Sequence, residues 1–497
     1  MTKSIIIGAG LGGLSCAVLL AAHGHDVSVY EKNSTAGGKL RSYKLGTHTF
    51  DFGPNTITMP WVFNHVLELA GLTPTDYFQF KRLSKHTRHH FSNGSLLDSE
   101  DSVEESAQAI SRFAGQKDAE QFKKYMQRTS ALYHTASSTF FPRTFRSPAD
   151  YLSPGLFRAL LKVKPLQTMH HFHAAAFDDP RLQQLFDRYA TYIGSSPYQA
   201  PATFSLISYL EWADGVYYTT GGNTAIASGL EKAAKDLGVR FYKNTEVTEI
   251  LVEQQQAAGI RTKDGITAAD HIVLNGDLLT QFPSLVDESV RPRFSNRKAE
   301  RTEASISAFV IMAGLDTRLP LLKHHQVFFS SDYKKEFHEL FTLNRYAGEP
   351  TIYISNSSYT DPSVSPEGDN LFILVNAPSL PGGEMTVSEQ AAYRDTIYDL
   401  LEEKGLFIRP HLVHEKIVTP ADMADEYYAF RGSIYGAASN KRRDAFLRPY
   451  NEPADISHLS FTGGSTHPGG GSPMVVLSGR ETARTILKKD GILLDYS

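Results

Sequence analysis

The sequence predicts an α/β protein in which a nucleotide-binding lobe on a parallel sheet is interrupted by a second, α+β lobe. Three observations carry that reading. The chain opens with strand, glycine turn, helix and strand; residues 222–277 return to α/β character; and from Leu459 it runs strand, Gly/Pro loop, helix. Ser4 to Ile7 (SIII) is an apolar run cut off by glycine, as a buried strand is. Leu14 to His23 has helical spacing and stops at Gly24, a natural C-cap. Asp26 to Tyr30 is a second strand, and two strands joined through a helix pair in parallel.

From Thr75 to Trp212 the chain reads as helical, with many Phe, Tyr, His and Gln residues. The α/β part that follows holds a helix at 225–236, a strand at 239–242, a strand pair around Gly265 and the apolar run His271 to Leu274. Ser305 to Asp316 and Thr351 to Asn376 alternate apolar and polar residues, as strands of an antiparallel sheet do. The expected division is 1–75, 215–290 and 430–497 for the nucleotide-binding domain. Residues 76–214 form a helical substrate and membrane-associated region, and 291–429 an antiparallel substrate sheet.

Composition narrows the function. At 497 residues, 41% hydrophobic and 21% charged, the chain has ordinary globular composition and calls for more than one lobe. A net charge of −4 offers no positive excess for a phosphate backbone, so nucleic acid is not an expected partner. Cys16 stands alone, which excludes a disulfide framework and a zinc-thiolate cluster and fits a reducing, cytoplasmic setting. Ser4 to Ala22 is uncharged, but Gly8, Gly10, Gly12 and Gly13 interrupt it, so it reads as strand, turn and helix rather than a span. The chain is therefore expected to be cytoplasmic and at most peripheral on the cytoplasmic membrane.

Gly8, Gly10 and Gly13 form G-x-G-x-x-G between a strand and a helix. The first permits the tight turn, the second lets backbone approach a pyrophosphate, and the third lets helix and strand pack closely. The helix start presents free N–H groups to the phosphates. Glu31, closing the second strand, sits where a carboxylate accepts a ribose 2′-OH, and an acid there argues against a 2′-phosphate. This Rossmann-like fingerprint leaves NAD and FAD open. TAGGKLR (Thr35 to Arg41) then places Gly37 and Gly38 beside Lys39 and Arg41, which suits a second passage along a pyrophosphate and favours FAD. FDFGP (Phe50 to Pro54) reads as an apolar strand ending in a turn, a wall for a flavin ring.

The longer motifs add a resemblance. They are GAGLGGL at 8–14, YEKNSTAGGK at 30–39, FDFGPNTITMP at 50–60, GGNTAIASGLEKAAKDLGV at 221–239, RGSIYG at 431–436 and FTGGSTHPGGGSPMVVLSG at 461–479. With these the chain resembles the phytoene-desaturase type of carotenoid flavoenzymes, within the amine-oxidase-like flavoproteins, over nearly its whole length. YIGSSPYQAPATFSL (192–206) and KRLSKHTRHHFSNG (81–94) resemble the C30 branch that oxidises terminal methyl groups of 4,4′-diaponeurosporene. A C30 or C40 desaturase of the same architecture is the alternative.

The resemblance implies a GR2-type FAD-binding domain and a non-covalent flavin. Gly8, Gly10, Leu11, Gly12 and Gly13 would hold the pyrophosphate, and Glu31 with Lys32 the adenosine ribose. Gly38, Lys39 and Arg41 would follow the phosphates, and Val247 would meet adenine through its backbone. Gly464, Ser465, Pro473, Met474 and Val475 would border the ribityl chain and ring. Ser465 and Thr466 stand where many flavoproteins carry an acid, and His467 is the residue to check for a covalent link.

The implied chemistry is hydride abstraction from an allylic carbon of a polyene to the flavin, with oxygen or a quinone as final acceptor. Asp150, with Arg146, is the candidate base, although an Arg/Asp pair beside a proline also suits a helix cap. Tyr192 and Tyr198 are aromatic candidates for a polyene tunnel or for plain core. Ser153 to Leu166 places Arg158, Lys162 and Lys164 between apolar residues at helical spacing, which suits either a membrane interface or a lid. The histidine groups (89 and 90; 170, 171 and 173; 324 and 325) lack metal-ligand spacing, so no metal is expected.

Overall fold

The computed structural model describes residues 1–141, 143, 155–156, 166–441 and 448–494. Its nucleotide-binding part is a five-stranded parallel sheet, ordered Leu459–Phe461, His271–Leu274, Lys3–Ile7, Asp26–Glu31, Arg240–Lys243. Lys3–Ile7 lies in the middle, with Ile5 opposite both Ile272 and Ser28. Strands covered on both faces read as continuous apolar runs, which is why SIII and HIVL were recognisable.

Helix Leu11–Ala22 begins three residues before the apolar spacing suggested, so Gly12 and Gly13 belong to its first turn. The reason lies at the other end of the chain. Helix Ser472–Lys489 packs across this first helix, and a Cβ on Gly479 would fall 2.1 Å from the Gly12 carbonyl oxygen. Only glycine lets the two backbones meet. Helix Ala225–Asp236 forms as its sequence indicated, and Asp51 accepts the N–H groups of Asn223 (2.7 Å) and Thr224 (3.2 Å) at its start. Val247–Glu253, Gln256–Thr262 and Gly265–Ala268 make a three-stranded antiparallel sheet, the pair expected around Gly265 with one strand more.

The second lobe carries a seven-stranded sheet, ordered Leu412–Val418, Ser307–Leu315, Asn370–Ala377, Ile352–Asn356, His325–Phe328, Thr87–His90, Leu96–Asp98. Its last two strands correct the reading of residues 75–212 as helical. Thr87, His89 and His90 are buried strand residues, 3%, 1% and 6% exposed, so polar letters conceal a core strand. A further strand there, Phe80–Arg82, pairs with Tyr217–Thr219, and the described helices include Val103–Ala114, Gln116–Thr139 and Pro180–Asp187 around Phe122, Phe186 and Trp212.

The two faces of the seven-stranded sheet differ. Phe309, Ile311, Ile354 and Ile373 pack under helix Val387–Glu403 through Tyr393, Ile397 and Leu401. Val310, Met312, Phe372 and Leu374 face Phe50, Phe52 and Met423 instead, on the side of the nucleotide-binding lobe. Among the described residues no helix is long and apolar enough to cross a membrane.

Candidate functional site

The glycine turn is shaped by what surrounds it. Gly8 has φ +94°, and a Cβ there would lie 2.6 Å from the Asn275 carbonyl oxygen. A Cβ on Gly13 would lie 2.4 Å from the Gly8 oxygen, the close helix–strand approach that the third glycine is for. The second glycine pair runs alongside: Gly37 N–H donates to Ala9 O (2.8 Å), and a Cβ on Gly38 would lie 3.1 Å from Gly10 Cα. Glu31, 6% exposed, accepts Ala9 N–H (2.8 Å) through one oxygen and Asn33 N–H (2.9 Å) through the other. Its carboxylate thus ties the turn to the end of the second strand.

These loops line a cavity of about 350 Å³. It brings together Gly8, Gly10, Leu11, Glu31, Lys32, Gly38 and Lys39 from the first stretch. Val247 joins them from the second, and Gly464, Ser465 and Val475 from the last. Two helix starts open onto it, at Gly10–Leu11 and at Gly471–Ser472, so unsatisfied N–H groups and two positive dipole ends converge there. That donor set suits a diphosphate.

Other expected residues stand off the lining. Gly12 and Gly13 lie behind it against Asn275, Pro473 occupies the first turn of the terminal helix, and Met474 packs on the nearby core. Arg41 pairs with Glu426 at 3.1 Å. Asp150, Arg146, Arg158, Lys162 and Lys164 lie outside the described residues.

Several lining residues carried no recognised signal. Asn275, Gly276 and Asp277 follow the strand His271–Leu274, at the same end of the parallel sheet as the glycine turn. Asn275 donates to Gly8 O (3.0 Å) and so braces the turn. Asp277 caps helix Leu278–Leu285 through Leu279 N–H (3.1 Å) and accepts Phe430 N–H (3.0 Å). Burial pushes its pKa up, opposed by Lys39; burial pushes that of Lys39 down, opposed by Asp277. Lys39 Nζ donates to the carbonyls of Ser433 (3.1 Å) and Ile434 (2.8 Å), fixing RGSIYG against the cradle. Beyond these groups the wall turns apolar, with Phe52, Ala308, Val310, Phe372, Leu374 and Met423.

The remaining candidates resolve into structure. Among the described residues no cluster of His, Cys, Asp and Glu is placed to hold a metal ion. Burial holds His86 near about 4 and His324 near about 3, so both are neutral at physiological pH. Ser205 Oγ, His173 and Asp187 are linked in series at 2.9 and 2.7 Å, the connectivity of a hydrolytic triad. With exposures of 0%, 0% and 1% they cannot meet a substrate and act as a buried brace.

The model of flavin containing amine oxidoreductases matches residues 11–487. The chain belongs to that family. This flavin-family chain is 33% identical to a 4,4′-diapolycopene oxygenase of Methylomonas sp, over 99% of its own length and 98% of the relative's. It is 31% identical to a 4,4′-diaponeurosporene oxygenase of Staphylococcus aureus (strain bovine RF122 / ET3-1), over 98% of each. Among solved structures it is similar to an oxidoreductase from Methanosarcina mazei (TM-score 0.66, 17% identity, covering 98% and 100%). It is also similar to cyclohexylamine oxidase from Brevibacterium oxydans IH-35A (TM-score 0.61, 15% identity, covering 99% of each). These last likenesses show the fold alone; with the family match they give an amine-oxidase-like architecture of a Rossmann-like domain and a substrate domain. Membership makes the chain an oxidoreductase with a flavin cofactor.

Proposed function

We propose that this protein binds FAD non-covalently and oxidises the terminal methyl groups of a C30 polyene, 4,4′-diaponeurosporene or 4,4′-diapolycopene, to aldehydes. The observation that carries the reading is one cavity with a glycine-and-helix-start cradle at one end and a hydrocarbon wall at the other. Relatives aligned over nearly the whole chain are oxygenases of those two polyenes.

The residues fit the cofactor. Side chains are missing at Gly8, Gly10 and Gly38 where backbone must approach a diphosphate, and Cβ atoms there would strike neighbouring backbone or Asn275. We assign the diphosphate to Gly8, Gly10 and Leu11 with Gly38 and Lys39, the turn being closed from behind by Gly12 and Gly13 and Arg41 standing off in its pair with Glu426, the adenosine ribose to Glu31 and Lys32, and adenine to Val247. Gly464, Ser465 and Pro473 to Val475 would border the ribityl chain and ring. His467 is turned away, its Nε2 3.1 Å from Phe140 O, and burial lowers its pKa to about 4. That supports a non-covalent flavin, as does burial of Cys16. When bound, the flavin supplies a two-electron acceptor.

The chain's own part is placement. Phe52, Val310, Phe372 and Leu374 exclude water and hold a polyene end in one orientation, which is most of what an allylic oxidation asks of a protein. Asp150, with Arg146 four residues earlier in the sequence, is the proposed proton acceptor. We also propose the three-part division at 1–75, 215–290 and 430–497, 76–214, and 291–429. The protein would work in the cytoplasm, on the surface of the cytoplasmic membrane, with oxygen or a quinone as final acceptor. Its water-insoluble substrate and the basic apolar stretch 153–166 support that placement.

The test is expression in a host that makes 4,4′-diaponeurosporene, with the product read by mass. Gain of one oxygen with loss of two hydrogens supports the reading; loss of two hydrogens alone makes the enzyme a desaturase.

A further inference from the structure

The apolar wall of the cavity does not end in more hydrocarbon. Residues directly opposite across a sheet share a face. Val310, which lines the cavity, stands opposite Leu374, Leu374 opposite Tyr353, Tyr353 opposite Val327, and Val327 opposite His89. In the neighbouring row Phe372 stands opposite Ser355, and Ser355 opposite His325. The floor therefore continues along one sheet face from hydrocarbon to Tyr353 and His325.

Tyr353 Oη lies 2.9 Å from His325 Nδ1 and 3.4 Å from Thr56 Oγ1, two residues past the cavity-lining Pro54. From the helical lobe, Tyr189 (2.9 Å) and Tyr192 donate to the two oxygens of Glu211, and the Arg188 guanidinium stands 3.7 Å from the same carboxylate. Tyr192 and Tyr353 pack against one core cluster, which holds Tyr189, Trp212 and Val327, so the two groups meet on the same side of the sheet. The helical lobe meets the cavity wall close by in the chain. Tyr192 precedes Gly194 by two residues, and a Cβ on Gly194 would lie 2.7 Å from the ring of cavity-lining Tyr435.

This cluster has more hydrogen-bonding groups than protein partners. Arg188 Nε and His325 Nε2 are buried without one, on side chains from residues 6% and 1% exposed. A network serving only to brace the fold pairs its members, because each buried group left unpaired is costly. Tyr192 and Tyr353 are the partly open members.

We infer that Tyr353 and Tyr192, backed by His325 and by Glu211 with Arg188, form an end-group site for the terminal oxygen, hydroxyl or carbonyl, of an otherwise apolar polyene. The inference rests on the carotenoid reading and deepens it. Tyr192, whose proton is committed to Glu211, offers lone pairs to a hydroxyl. Tyr353, when His325 donates to it, offers its O–H to a carbonyl. A chain oxidised once is held better than fresh hydrocarbon, which favours carrying the alcohol on to the aldehyde before release. Both tyrosines are specificity-determining residues.

The test uses the flavin-loaded protein and three probes of one skeleton: all-trans-retinal, all-trans-retinol and the corresponding hydrocarbon with a terminal methyl. Binding is followed by quenching of tryptophan fluorescence. The oxygenated probes should bind about tenfold more tightly than the hydrocarbon, the usual worth of a buried hydrogen bond. Tyr353→Phe and Tyr192→Phe should each reduce that preference to less than about twofold while hydrocarbon affinity and flavin content stay at wild-type values. General damage to the fold would move all three probes together. Should Tyr192→Phe fold poorly, Tyr353→Phe carries the test. Preference for oxygen retained in Tyr353→Phe, or absent from the wild type while the hydrocarbon binds, overturns the end-group site and leaves the carotenoid reading standing. Failure of every probe to bind overturns both.

Discussion

The cradle and the sheet floor meet in one cavity but are built on opposite principles. The cradle is mostly backbone: Gly8, Gly13 and Gly479 are there for what they lack, and its helix starts and peptide N–H groups are braced by a few side chains, Glu31, Lys39 and Asn275. The floor is side chains: Val310, Leu374, Tyr353 and Val327 come from four strands and meet only through register. A backbone site tolerates change in most side chains and none in its glycines. A register site is the reverse, because each residue is one member of a row.

Four substitutions or titrations separate the two regions. Arg188→Leu should have the largest effect, about 3–5 kcal/mol of stability, since it strands the buried Glu211 carboxylate. Denaturant unfolding measures it, and the folded fraction should still carry flavin; equal stability to wild type would mean that the Arg188–Glu211 pair does not hold the helical lobe together. Gly479→Val should cost about 3 kcal/mol, because the Gly12 oxygen at 2.1 Å has nowhere to go. Here flavin should be lost along with stability, and a fully flavinated Gly479→Val protein would mean that the helix crossing does not shape the cradle.

Glu31→Gln should leave the fold intact and weaken flavin binding by about 10- to 100-fold, the worth of charge-assisted hydrogen bonds. Titration of the flavin-free protein reads it. The smallest effect per group is acid sensitivity of the floor. Burial lowers the pKa of His86 to about 4 and of His324 to about 3, and holds His89 and His325 well below the ordinary value. The unfolded chain binds protons there below about pH 6.5 and the folded chain does not, so stability falls as pH drops. Each histidine contributes about 1.4 kcal/mol per pH unit between its two pKa values. Glu336, raised to about 7, works in the opposite sense, as do the raised Asp51, Asp214, Asp277 and His170; His25, His65, His90 and His467, all lowered, act with the four histidines. Melting temperature should fall steadily from pH 6.5 to 5; a flat profile contradicts the neutral, buried histidines.

Legibility in the sequence followed the same divide. The cradle could be read because its glycines, Glu31 and the flanking strands are contiguous, and HIVL at 271–274 and the helix at 225–236 form as the local pattern indicates. The helix start at Leu11 was obscured because two glycines look like a loop until Gly479 is known to press on them. Asn275 and Asp277 are missed because a polar residue after a strand has no signature of its own. The floor was legible only as alternation. Which face of Ser307–Leu315 meets the cavity depends on Phe50 and Phe52, more than 250 residues away. Thr87–His90 was hidden because its histidines are core residues here.

Basic residues in 153–166 give one further check on where the protein works. The wild type should sediment with anionic liposomes, and replacing Arg158, Lys162 and Lys164 by Glu should release it; full sedimentation of that variant would place the membrane contact elsewhere.

The most direct measurement joins the two regions in one observation: anaerobic mixing of flavin-loaded protein with 4,4′-diaponeurosporene, following flavin absorbance. Bleaching at a rate that rises with polyene concentration is the predicted result, because the sheet floor delivers the chain end to the cofactor held by the cradle. A flavin that stays yellow while the polyene is bound would contradict that.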